Sequence, residues 1–158
     1  MSTRTATKTA SAYDDDFYAW TQDQAEKLRA RRHNEVDWEN AAEEIEGLGR
    51  SDRRSIGSNL NVVLAHLLKW NYQPDRREGG WVASIIEHRD RLRRILGDSP
   101  SLRPYPAEIL AVEYVSARRI AAAETELPLR LFPETCPFSV EEVLDPAFPP
   151  DLYQDLPE

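Results

Sequence analysis

A single cysteine, Cys136, stands in a chain of 158 residues. No internal disulfide can form, and an intracellular, cytoplasmic home is the simpler expectation. Glycine is scarce too, and none of the six forms the Gly-rich loop that cradles a phosphate; paired CxxC motifs are also missing. No apolar run approaches the roughly 20 residues of a membrane helix, so a membrane span is excluded. Strand-length alternation of apolar and polar residues is lacking, as is any repeat of 20 to 50 residues. Basic residues end at Arg130.

What is present is the composition of a globular protein, 41% hydrophobic and 30% charged, at a length suited to one core. The net charge of −8 is unevenly laid out: −3 over residues 1–26, +2 over 27–130 and −7 over 131–158. A chain of this sign is not expected to bind nucleic acid unless its middle gathers Arg29, Arg31, Arg32, Arg53, Arg54, Arg76, Arg77, Arg91 and Arg94 on one face. Residues 1–12, rich in Ser, Thr and Ala without an apolar centre, read as a disordered tail rather than a secretory signal.

Helical spacing organises the rest. Asp14 to Asp16 open a first helix through Phe17, Trp20 and Leu28 to Arg31 and Arg32. Asp37 caps a second, with Trp38, Ala41, Ala42, Ile45 and Leu48 on one side, expected to stop at Gly49. Ser51 or Asp52 opens a third, whose apolar stripe is Ile56, Leu60, Val63, Leu64, Leu67 and Trp70, ended near Tyr72 by Pro74. Gly79 and Gly80 permit entry to a fourth through Trp81, Val82, Ile85, Ile86, Leu92, Ile95 and Leu96, and a fifth is expected over 105–125. The remainder holds seven prolines, with a Ser139 and Glu142 capping box before a short helical turn. Its apolar residues, Phe132, Phe138, Val143, Phe148 and Leu152 among them, are too many for a solvated tail. The expected fold is therefore all-α: a single-domain bundle of about five helices over residues 13–148, with the extended proline-rich segment packed across it and 149–158 as a tail. The carboxylates of that segment are expected to meet arginines of the middle region.

Chemistry-bearing residues concentrate in the stretch HLLKWNYQPDRREGGW, residues 66–81. Trp70, Tyr72, Arg76, Arg77 and Trp81 form a candidate binding surface, because Trp, Tyr and Arg concentrate binding energy; the alternative is that the aromatics fill the bundle end while the arginines pair with nearby or C-terminal carboxylates. His66 lies on the third helix among leucines, where a histidine with one satisfied hydrogen bond is the ordinary outcome. A second candidate cluster joins His66 to Glu43, Glu46 and Glu113 for metal-assisted hydrolysis, yet the Glu and His three residues apart that helical metal sites use is missing, so no metal site is assigned. Glu113, on an Ile109, Ala117 and Ile120 face, needs a partner if buried, with Arg50, Arg53 or Arg54 at hand. Cys136, with no histidine nearby in sequence, reads as a packed thiol. No cofactor is implied.

The segments YDDDFYAWTQDQAEKLR, NAAEEIEGLGRSDRR, HLLKWNYQPDRR, SPSLRPY and FPETCPFSVEEVLD, in that order, resemble a bacterial family catalogued as domain of unknown function number twenty-nine. The likeness covers about residues 13–148. His33 stands where an aromatic is common in that family, and Gly79 and Gly80 replace a more polar pair. The resemblance implies a helical fold and brings no established activity with it. The functional expectation is a non-catalytic protein-interaction or regulatory module that binds another protein. A homodimer is a further expectation, because Val62 beside Val63 and Ile86 beside Ile85 exceed one apolar stripe.

Overall fold

The computed structural model describes residues 12–154, so the tail expected over 1–12 lies almost wholly outside the described residues, as do 155–158. Six α-helices follow in order: α1 (Ala12–Asp15), α2 (Phe17–Arg29), α3 (Trp38–Tyr72), α4 (Gly79–Asp98), α5 (Tyr105–Thr125) and α6 (Val140–Leu144). No strand occurs among the described residues, and the protein is all-α. The chain divides after Arg50 into two compact units.

The first unit gathers around Trp20, against which the Tyr13 and Phe17 rings pack and to which polar groups bond. Asp16 caps α2 by accepting from the Ala19 amide, as expected of the Asp14 to Asp16 run, and the short α1 precedes it. Trp20 is buried; its indole N–H donates to Asp37 Oδ2 at 3.2 Å, and Gln24 Oε1 accepts from the Asp37 amide at 2.7 Å. The Asp37 carboxylate also accepts from the Asn40 side chain, a bond that holds its carboxyl below the usual aspartate range.

The expected break at Gly49 does not occur. Residues 38–72 form one 35-residue helix. Interior glycines cost about 1 kcal/mol each relative to alanine, but only a left-handed residue or a proline would force a stop, and no described glycine has a positive φ. Ser51 and Asp52, read as caps, are ordinary helix residues here.

In the second unit the expected α3 stripe is buried in full, from Ile56 through Trp70. It meets Val82, Ile85 and Leu92 of α4 and Tyr114, Ala117 and Ala121 of α5 in one core. Ile86 falls outside it and is exposed. Gly57 allows the backbone of α3 to approach α5: a Cβ there would lie 2.9 Å from Glu113 Oε1.

The proline-rich segment completes this core with Phe132, Phe138, Val143 and Leu152. Its fastening differs from the expectation. One carboxylate, Asp151, pairs with an arginine, Arg77, at 2.7 Å. Elsewhere backbone carbonyls are the acceptors, because an extended, proline-interrupted chain forms no ladder of its own. Arg89 of α4, only 6% exposed, donates to the carbonyls of Val143, Phe148 and Glu142 at 2.8, 2.6 and 3.1 Å. Arg118 donates to those of Phe132 and Leu129, and the Tyr114 hydroxyl to that of Pro133. The Ser139 and Glu142 capping box opens α6 as expected.

Candidate functional site

The end of α3, the start of α4 and the end of α5 enclose a polar cleft of about 740 Å³, and residues of the 66–81 stretch supply most of its wall. Lys69 sits one turn beyond Ala65 on a helix of leucines, and the residue is only 6% exposed. Burial of an unpaired ammonium would be costly. Glu124 of α5 accepts from Lys69 Nζ at 2.6 Å, and the same nitrogen lies 4.7 Å from the Trp81 ring centre, over its face. Carboxylate and indole together replace the lost water.

His66 lies on the cleft wall three residues before Lys69. Its Nδ1 is 2.8 Å from the Val62 carbonyl, which can only accept, so Nδ1 carries the proton and Nε2 keeps a free lone pair. Burial pushes the imidazolium below the ordinary histidine range, partly opposed by that carbonyl. Neutral, Nε2-basic histidine is therefore the form at neutral pH.

The mouth carries Arg76, Glu78 and Glu126. None of these three makes a side-chain hydrogen bond or ion pair among the described residues. Glu126 ends α5 in the left-handed region, at φ 58°, where glycine or asparagine is the ordinary choice. Gly80 contributes backbone at the start of α4, whose N-cap residue, Glu78, makes no side-chain capping bond.

The candidate binding surface read from the sequence divides between wall and joint. Trp70 is buried, its N–H bonded to Asp151 Oδ1 at 3.1 Å and its ring covered by the Arg77 guanidinium at 4.2 Å. Tyr72 packs against Phe132. These three, Trp70, Tyr72 and Arg77, fasten the C-terminal segment, whereas Arg76 and Trp81 belong to the cleft. The second cluster is distributed among other partners. Glu43 and Glu46 pair with Arg50 in the first unit at 2.6 and 3.5 Å. Glu113 takes Asn61 as its partner at 3.2 Å rather than an arginine. The reason is the phase of α5: its buried side is Tyr114, Ala117 and Ala121, Ile120 is exposed, and Glu113 is only half-buried. Among the described residues no three His, Cys, Asp or Glu side chains gather closely enough to hold a metal ion. The Cys136 thiol donates to the Phe138 carbonyl, and burial pushes its pKa up, away from reactivity.

Lys69, Glu124 and Glu126 escaped the sequence reading. A lysine inside LLKW was a usable signal, since a charge on an apolar stripe needs a buried partner; the partner lies 55 residues away and had none.

Fold and site define an all-α protein with a polar, mixed-charge cleft and no recognisable set of reacting groups. Residues 12–149 match the family described as Domain of unknown function DUF29, and the chain belongs to that family. No curated protein and no solved structure matches it. No helix among the described residues is long and apolar enough to cross a membrane.

Proposed function

We propose that this protein is a cytoplasmic interaction module without catalysis, which docks a basic amphipathic helix of another protein on the N-terminal half of α3. The observation that carries the reading is the apolar face of the first unit. Ile45 and Leu48 are 68% and 70% exposed, with Trp38 half exposed on the same side of the helix. Spacing of seven and three residues places them along one stripe, the pattern by which helices recognise helices. Charge favours a basic partner: residues 12–50 hold eleven carboxylates against five lysines and arginines.

The test is cross-linking capture from cells that express the protein at native level, with the native chain and an Ile45→Asp, Leu48→Asp variant side by side. Both positions are exposed, so circular dichroism of the variant should match the native protein. The expected outcome is a partner recovered through a basic helical segment by the native chain and lost with the variant. Recovery of the same partners by both proteins, or of none by either, would sink the reading.

A further inference from the structure

The cleft of the second unit has an electrostatic composition that selects its ligand. Five charged groups line it, the cations Lys69 and Arg76 and the carboxylates Glu78, Glu124 and Glu126, while His66 enters as a neutral acceptor. A simple anion such as inorganic phosphate would face three carboxylates, and a simple diamine would face two cations. Lys69 and Glu124 already pair with each other, and a ligand with both charges adds to that pair while also meeting Arg76 and the two carboxylates Glu78 and Glu126. The five groups sum to −1, which favours a ligand of net charge +1, and about 740 Å³ accommodates a long side chain as well as two polar ends.

Two details separate this wall from a fortuitous surface hollow. The Lys69 ammonium has three protons, and Glu124 is its one hydrogen-bond acceptor among the described residues, so donor capacity remains beside the Trp81 face. At the mouth, folding alone would favour glycine at position 126, but the chain carries a carboxylate there at the expense of a left-handed backbone.

We propose that the cleft binds a free basic α-amino acid, arginine or lysine. Its α-carboxylate lies with Lys69, Arg76 and the positive end of α4 at Gly80. Its α-ammonium and side-chain cation lie among Glu78, Glu124 and Glu126, and His66 Nε2 accepts one N–H. This site stands apart from the docking face on α3, and neither reading depends on the other.

Titration calorimetry of the full chain with L-arginine and L-lysine tests the site. The comparison probes are agmatine, which lacks the carboxylate, Nα-acetyl-arginine, which lacks the ammonium, L-glutamate and inorganic phosphate. At least one of the two amino acids should bind about tenfold or more tighter than every comparison probe, the scale of one lost charge-assisted contact. Agmatine or phosphate binding as tightly, or no binding of either amino acid at millimolar concentration, overturns the proposal. Lys69 is embedded in the wall and its variants risk misfolding, so the decisive variant is Glu126→Gly. It should raise the melting temperature by relieving the left-handed glutamate while weakening amino-acid binding about tenfold. A Glu126→Gly protein that binds as the native chain does would remove the carboxylate mouth from the proposal and with it the site.

Discussion

Arg77 and Asp151, 74 residues apart in sequence, close one hydrogen-bonded loop around Trp70. Arg77 covers the indole face, donates its Nε–H to the Trp70 carbonyl, and shares Asp151 with the indole N–H. The helix and the proline-rich segment are therefore joined through one carboxylate. Burial works to raise the Asp151 pKa, but the bonds from Trp70 and Arg77 outweigh it and leave the carboxyl below its ordinary range.

Replacing Asp151 by alanine leaves the Trp70 N–H and the Arg77 guanidinium without their acceptor. The expected loss is about 1–3 kcal/mol, the cost of an unsatisfied polar group. Urea unfolding followed by tryptophan fluorescence measures it; a midpoint unchanged from the native protein would show that the joint does not contribute.

Arg89→Lys should be more damaging than a charge-conserving change suggests. Three carbonyls are met by the fork of one guanidinium, and an ammonium on a single-point stem cannot reach all of them. Burial lowers the Arg89 pKa to about 10, which still leaves it charged at neutral pH. A loss of about 2–3 kcal/mol is expected by chemical denaturation, with hydrogen exchange increased over residues 142–148.

Gly49→Ala and Gly57→Ala form a matched pair on α3. At Gly49 a Cβ meets nothing within 4 Å, so the substitution should stabilise by up to about 1 kcal/mol through helix propensity. At Gly57 the same gain is offset by displacement of the Glu113 carboxylate and its Asn61 bond, and a smaller net change is expected. Thermal melts of the two variants check the order; Gly57→Ala as the more stabilising of the pair would contradict the packing described for α3 and α5.

Acid should weaken the second unit before its carboxylates titrate. Burial depresses the pKa of His66 in the folded protein and does the same to His88, so the unfolded chain binds these protons first. Stability from both groups is complete above the ordinary value of 6.5 and falls as pH drops through it toward the lower folded values. Melting temperatures between pH 7.5 and 5 should decline, and His66→Gln should flatten part of that slope. An equal slope in the variant would assign the effect elsewhere.

The helices of the second unit were legible because their apolar periodicity coincides with burial. Ile56 to Trp70 traced the core side of α3 correctly, and Tyr105 to Thr125 emerged with its bounds. Continuity at Gly49 was not legible, since a glycine can stop a helix or merely weaken it, and the backbone angle that distinguishes the two is not written in the sequence. The cleft was half visible. His66, Arg76 and Trp81 lie close in sequence, whereas Glu124 and Glu126 come to them only through the packing of α5. Asn61 as the partner of Glu113 was missed for the same reason: an arginine has the stronger charge, but the asparagine occupies the facing turn of α3.

The fastening of the proline-rich segment has a consequence for the order in which the protein matures. Phe132, Phe138, Val143 and Leu152 cover helices that leave the ribosome before them. Until those residues arrive, the core shared by α3, α4 and α5 is only partly covered and the Arg89 guanidinium lacks its carbonyl acceptors, so a nascent second unit presents apolar surface that chaperones recognise. The first unit, in which Trp20 meets Tyr13, Phe17 and Asp37, draws on no residue of that segment and can take shape while synthesis continues.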